Sequence, residues 1–273
     1  MAFPLAGLGA LLTSPFQRES HQPIINPTMK IASFEFFAEL LDLLPKRLGG
    51  GAFSYEFNGN QSVKHLIEAL GIPHTEVGRI LVNGSIVSDS YLVHSADQIE
   101  VHPARYEQQA DEAPIASQLD FCFVLDNHLG KLAAYLRMLG LDSAYSNDYQ
   151  DEQLVEIAIR DDRILLTRDR RLLMRKQVRA GYCIRSLEPV DQLKEVVRRF
   201  GLQRVVKPFR RCLRCNAVLE DVFKEKVLDR LEPLTRQYYE TFSICPACQQ
   251  IYWQGSHFIR MQQLIQEVLG TYE

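Results

Sequence analysis

The 273-residue sequence predicts an α/β chain: a parallel sheet with helices on both faces, a small strand-rich domain ahead of it, and a metal-stapled segment behind it. Three observations carry that expectation. Across residues 119–201, short apolar runs alternate with amphipathic helical stretches, the order that winds a parallel sheet between two helix layers. Across 29–103, two strand patterns, one helix and further strands follow one another. Across 202–273 stand two C-x-x-C pairs.

Taken in order, residues 1–28 hold a short apolar stretch without the basic residues that precede it in a signal peptide. They read as a disordered leader, with Met29 a candidate start. "KIASFEFFAEL" begins as a strand, Gly49–Gly51 turns the chain, and "AFSYEFNG" alternates as a second strand. In "SVKHLIEALGI", Ser62 caps a helix, Val63, Leu66, Ile67 and Leu70 share a face, and Gly71 stops it. "RILVNGSIV" is two strands around an Asn-Gly turn, and "DQIEVHP" closes as a strand. This is the order of a β-grasp domain. It resembles the ubiquitin-like sulfur carriers of thiamine and molybdopterin synthesis. Those carriers end in Gly-Gly, whereas this chain runs on into "ARYEQQADEAPIASQ". A scaffold role with a protein partner is therefore expected in place of sulfur transfer. Residues 104–118 are polar and read as a linker.

"FCFVLD" is a continuous apolar run, as in a strand buried on both faces. "HLGKLAAYLRMLGL" gives a helix, "DSAYS" a short strand, "DEQLVEIAIRDD" a helix with acids in its first turn. "RILLTRD" is a strand, "RRLLMRKQVRAG" a helix, "YCIRS" a strand and "PVDQLKEVVRRFG" a helix opened by Pro189. Cys122 and Cys183 lie in apolar strands and read as core cysteines.

Ligands of open parallel sheets sit beyond the carboxyl ends of the strands. Asp126 ends one strand, Asp169 follows another, and Asp148 and Asp151 fall in the third connection. Each can cap a helix. Together they can hold Mg²⁺ or Mn²⁺, which activates water against a phosphodiester. Arg168, Arg170, Arg171, Arg175 and Lys176 crowd Asp169. From residue 160 to 211 there are 16 Lys and Arg against 6 Asp and Glu, in a chain of net charge −3. Such a block is either a solvated surface or a contact for a polyanion.

The strings "DNHLGKLAAYLRMLG" and "LLTRD" resemble the Mut7-C family of PIN-like ribonuclease domains, over roughly residues 120–260. The β-grasp segment then matches the ubiquitin-like domain of the Mut7-C type. The resemblance implies a PIN-like fold and metal-dependent RNA cleavage, with Asp126, Asp151 and Asp169 as catalytic metal-holding acids and Asp148 as a substitute for Asp151. For a fourth acid the chain offers Glu188, with Ser186 nearby. Asn127 stands where a further polar group helps, and Lys131 can reach a phosphate. The reading is a cytoplasmic endoribonuclease acting on RNA. The rival is a non-catalytic RNA- or ribosome-binding adaptor.

Cys212-Leu-Arg-Cys215 and Cys245-Pro-Ala-Cys248 supply four thiolates, as in a structural zinc ribbon. His257 is a runner-up ligand. Tyr252 and Trp253 serve either the ribbon core or a stacked base, the core being favoured. No apolar run reaches the roughly 18 residues of a membrane helix.

Overall fold

The computed structural model describes residues 29–104 and 121–270. The expected leader at 1–28 and the linker beyond residue 104 lie outside the described residues.

The first sheet holds β1 (Met29–Phe36), β2 (Phe53–Asn58), β3 (Val77–Val82), β4 (Ser85–Val87) and β5 (Gln98–Pro103), in the order β2-β1-β5-β3-β4. β1 and β5 pair in parallel at its centre. The helix α1 (Val63–Ala69) crosses between the two halves, and the Ser62 hydroxyl accepts a hydrogen bond from the His65 amide. This is a β-grasp fold. The turn between β3 and β4 uses Asn83 and Gly84, both at positive φ, as a two-residue hairpin requires. Beyond β1 the stretch "AELLDL" forms a 3-10 helix, Ala38–Leu43. It buries Leu40 and Leu43.

The second sheet is parallel, ordered β7-β6-β8-β9, from β6 (Cys122–Leu125), β7 (Asp142–Ala144), β8 (Ile164–Thr167) and β9 (Gly181–Cys183). On one face α2 (Gly130–Met138) and α5 (Pro189–Phe200) pack against Phe123, Leu125 and Leu166. On the other, α3 (Asp151–Arg160) and α4 (Arg170–Leu173) cover Val124 and Leu165. Alternate strand residues thus feed opposite layers. The helix expected over "RRLLMRKQVRAG" is one turn only. β8 advances about 13 Å, and a twelve-residue helix would run back about 18 Å and overshoot its start. Instead Val178 is buried, and the Ala180 carbonyl accepts from the Leu165 amide, already in sheet register.

A third, antiparallel sheet holds β10 (Glu220–Val222), β11 (Phe242–Ile244) and β12 (Ile251–Trp253). The short helices α6 (Lys224–Val227) and α7 (Pro233–Tyr238) lie between β10 and β11. The last helix, α8 (Ser256–Gly270), returns Ile265 and Val268 to the core beneath α2 and α5. Among the described residues no helix is long and apolar enough to cross a membrane.

The two larger domains share one core. Phe34, Phe36, Leu43 and Ile72 of the β-grasp domain join Leu154, Val155, Leu172 and Val178 in a continuous apolar cluster. At its edge Glu76 is 0% exposed. Its Oε1 accepts the Cys183 amide at 2.6 Å, and its Oε2 accepts Nη2 of Arg185 at 3.1 Å. Nη2 of Arg199 lies 4.0 Å away. Burial holds the Glu76 carboxyl above its ordinary range, against the pull of both guanidiniums. Arg170 donates to the Leu43 carbonyl at 2.5 Å, and the His74 ring reaches the Val178 carbonyl at 2.9 Å.

Removing one partner of a buried ion pair strands the other charge. Glu76→Ala should therefore lower stability by about 3 kcal/mol in chemical denaturation. Glu76→Gln keeps an acceptor for the Cys183 amide and resembles the neutral form that burial favours, so its loss should be smaller. An unfolding midpoint unmoved in Glu76→Ala would show that the seam does not depend on this carboxylate.

Candidate active site and zinc centre

β6 and β8 are neighbours, so the residues that leave their carboxyl ends emerge side by side. Asp126 leaves β6 half-buried, and Asp169 leaves β8 exposed. Between them stands Thr167, the last residue of β8, 0% exposed. Its hydroxyl donates to Oδ2 of Asp126 at 2.6 Å and accepts the Asp169 amide at 3.0 Å. One buried hydroxyl thus ties both acids to the sheet. Sequence reasoning passes over Thr167, although it is the polar residue of "ILLTRD" that precedes the acid.

Asp126 makes no side-chain cap, so capping does not explain it. Asp169 does cap α4, accepting the Arg171 amide at 2.8 Å. Asp151 opens α3, where Gln150 supplies the cap, and its carboxylate meets Nη2 of Arg175 at 3.2 Å. Asp148 is exposed in the preceding loop. Among the described residues these acids do not bring three ligand atoms within 4.8 Å of one another. Glu188 is exposed at the start of α5, without a side-chain cap bond.

Two further residues belong to this edge. The Tyr145 hydroxyl donates to the Asn127 carbonyl at 2.8 Å and also meets the Asn147 side chain. Burial pushes that hydroxyl's pKa up, and the Asp126 charge adds to the push while Arg137 opposes it. A Cβ at Gly130 would collide with the Tyr145 hydroxyl, which accounts for the glycine in "HLGKL". Oδ1 of Asn127 is buried without a hydrogen-bond partner. Carboxylates plus an unpartnered amide oxygen are a hard, all-oxygen donor set, the kind that suits Mg²⁺ or Mn²⁺.

The bases divide. Arg168, Arg171, Lys176 and Lys131 are exposed, Lys131 lying 5.7 Å over the Tyr135 ring. Arg170 is committed to Leu43 of the β-grasp domain, and Arg175 to Asp151 and Glu152. Four more of the block's cations point inward. Arg185 and Arg199 face Glu76, and Arg163 and Arg211 face Asp142.

The cysteines form two matching turns. The Cys212 and Cys245 amides donate to the carbonyls of Ala217 and Gln250, and their carbonyls accept from Asn216 and Gln249. Asn216 and Gln249 both sit at positive φ, the residue after the second cysteine in each pair. All four sulfur atoms lie within 4.8 Å of one another, with Cys212–Cys248 at 3.5 Å and Cys215–Cys245 at 3.3 Å. A tetrahedral zinc with bonds of about 2.3 Å spaces its sulfurs about 3.8 Å apart, so the set fits zinc. Burial opposes ionisation of Cys212, but the Tyr252 hydroxyl and the amides of Cys215 and Arg214 bring its thiol down to about 6. Tyr252 thereby serves the knuckle, whereas His257 is exposed at the start of α8 and outside the group.

Polar contacts orient the ribbon on the parallel sheet. Arg137 of α2, 3% exposed, donates to the carbonyls of Ser143, Leu213 and Arg214. Asp142 of β7 receives Arg163 at 2.5 Å, Asn216 at 2.8 Å and Arg211 at 3.2 Å.

Comparison with known proteins agrees with this layout. The family model of the Mut7-C RNAse domain matches residues 122–265, and that of the Mut7-C ubiquitin domain matches 29–109. The human protein "Exonuclease mut-7 homolog" is 35% identical over 126 residues, which are 44% of this chain and 14% of that protein. The chain therefore spans a small part of that relative. Among solved structures, the small archaeal modifier protein 1 of H. volcanii is 16% identical and the alignment covers 27% of this chain and 97% of that one, with a TM-score of 0.23. The putative molybdopterin converting factor subunit 1 of Pyrococcus furiosus is 22% identical, over 27% and 97%, with a TM-score of 0.22.

Purified without chelators, the protein should carry about one zinc per chain by elemental analysis. Cys245→Ser should lose it and expose new proteolytic cuts after Leu202 while 121–200 stays protected, because metal binding and local folding are coupled. An unchanged cleavage pattern would separate the ribbon's fold from its metal.

Proposed function

The chain belongs to the Mut7-C RNAse domain family, and from that premise we propose that it is a metal-dependent endoribonuclease. The observation that carries the proposal is the Thr167 hydroxyl bridging Asp126 and the Asp169 backbone at the carboxyl edge of the parallel sheet. A cap or a stray surface acid needs no such tether. Asp126, Asp169 and Asp151 would hold Mg²⁺ or Mn²⁺, with Asn127 Oδ1 and Asp148 beside them. A divalent cation bound there supplies an activated water and neutralises the leaving oxygen. The chain's own part is to fix Asp126 through Thr167, to place Asp169 at the head of α4, and to offer Arg168, Arg171 and Lys131 to the phosphates. Asp148, Asp151 and Asp169 are exposed, so a continuous strand can cross the edge without threading an end. That favours internal cleavage.

The adaptor reading has one observation in its favour: Asp169 caps α4 and Asp151 is paired with Arg175, as structural acids are. The two separate on a closed circular single-stranded RNA, which an endonuclease linearises in Mn²⁺ and an adaptor or an exonuclease leaves closed. Asp126→Asn and Asp169→Asn should each abolish linearisation with RNA binding retained. Thr167→Val, which removes the bridge but not the acids, should cost roughly 10- to 100-fold. Full activity in Asp126→Asn would remove that residue from the chemistry.

Arg168→Ala with Arg171→Ala should weaken RNA binding and reduce its salt dependence, by roughly one unit of log-log slope for each phosphate no longer neutralised. Arg170→Ala should instead lower stability, because its partner is the Leu43 carbonyl. Equal salt slopes in wild type and the Arg168, Arg171 variant would show that RNA crosses elsewhere.

A further inference from the structure

We infer that the cavity beside the Cys245–Cys248 knuckle is a site for one unstacked base of single-stranded RNA, with Trp253 as its stacking platform. The inference rests on RNA being the substrate, and it deepens that reading by locating a second contact on the ribbon. The cavity is about 300 Å³ and is lined by Arg214, Arg230, Glu232, Gln249, Gln250 and Trp253, among others.

The ribbon core does not use up Trp253. Its neighbours on β12 are accounted for: Ile251 is buried, and the Tyr252 hydroxyl is bound at Cys212. Trp253 itself is 39% exposed. Its ring packs closely on Gly255, where a Cβ would stand 2.9 Å from the indole Nε1. The missing side chain lets the indole lie against the backbone. An exposed aromatic ring with restricted freedom is what a stacking site requires, and every base offers a π-face to it.

Charge and hydrogen-bonding capacity complete the match. Arg214 and Arg230 are exposed cations, tethered to the Gln250 side chain at 3.4 Å and to the Gln249 carbonyl, so they are already arranged for a phosphate. Glu232 offers carboxylate acceptors, and the side-chain amides of Gln249 and Gln250, already bonded to the Pro246 and Ile251 carbonyls, each keep a second N–H for a base edge. A base inside a duplex cannot reach such a platform, so the ligand is a single strand. Arg137 grips the Leu213 and Arg214 carbonyls of the facing knuckle, so the site keeps a fixed relation to the nuclease sheet.

Trp253 is the one tryptophan of the sequence, so all tryptophan emission comes from a residue that lines this cavity. The experiment titrates the full chain carrying Asp126→Asn and Asp169→Asn, without added divalent metal, with a short oligoadenylate and with an RNA duplex of equal length. The single strand should quench the emission saturably and the duplex should not. By anisotropy of a labelled oligoadenylate, Trp253→Ala should bind roughly tenfold more weakly. Trp253→Phe should keep most of the affinity, and Arg214→Gln should weaken binding with the zinc content unchanged. Saturable binding with unmoved tryptophan emission, equal quenching by the duplex, or wild-type affinity in Trp253→Ala would each overturn the inference. Should Trp253→Ala lose its zinc, Trp253→Phe and Arg214→Gln decide. Mn²⁺-dependent cleavage by the wild type with no quenching defeats this site alone. Quenching without cleavage defeats the catalytic reading alone.

Discussion

A carboxylate with no solvent contact can stay in a protein only where donors surround it, and Glu76 meets that condition only because two domains meet. The β-grasp domain supplies the acid from the turn before β3, and the nuclease sheet supplies the Cys183 amide, Arg185 and Arg199. Separated, the first domain would expose an apolar face and the second would lose the counter-charge of two guanidiniums. The same surface covers α3 and α4, whose residues Leu154, Val155 and Leu172 are buried in the shared cluster. The helix layer on that side is thin, since α4 is a single turn, and the β-grasp domain stands in for the missing helix. All-parallel sheets occur almost only with both faces covered, so the β-grasp domain is part of the architecture of the parallel sheet.

This constraint explains what is legible in the sequence and what is not. The strands, their order and the cysteine pairs are legible because each is local: alternation in "SFEFF", an apolar run in "FCFVLD", a fixed spacing in C-x-x-C. The seam is non-local. Glu76 in "PHTEV" looks like any turn acid, and nothing near it in sequence announces Arg185 or Arg199. Part of the basic block is spent inside the fold, and the sequence hides this for the same reason. Five of its sixteen cations, Arg163, Arg170, Arg185, Arg199 and Arg211, have Asp142, the Leu43 carbonyl and Glu76 as partners. For these five, folding brings the partner from elsewhere in the chain, whereas Arg168, Arg171 and Lys176 stay exposed.

The site itself is legible in its acids and silent in its supports. Asp126 and Asp169 follow buried strands, a pattern visible in sequence. Thr167, Tyr145 and Gly130 act through hydrogen bonds or close approach across the sheet. In "ILLTRD" the threonine reads as a β-former, and its role emerges only when β6 and β8 are paired.

Apolar contacts through α8 and Leu213 join the third part to the second, and polar contacts fix its orientation there. An apolar patch would hold the ribbon with little regard for orientation, since burial is non-directional. Arg137 instead donates to three carbonyls, and Asp142 accepts from Arg163, Asn216 and Arg211. Burial works against the ionised Asp142, but those donors outweigh it and hold its carboxyl below its ordinary range. The sign is that of a stabilising acid: its contribution is present above the ordinary carboxylate range and disappears as pH falls through the lowered value. Asn216 belongs to both systems. Its amide closes the Cys212 knuckle, and its side chain reaches Asp142 and the Ser143 amide. A zinc held by the four cysteines would thereby set the orientation of the ribbon on β7, through Asn216 and Arg137.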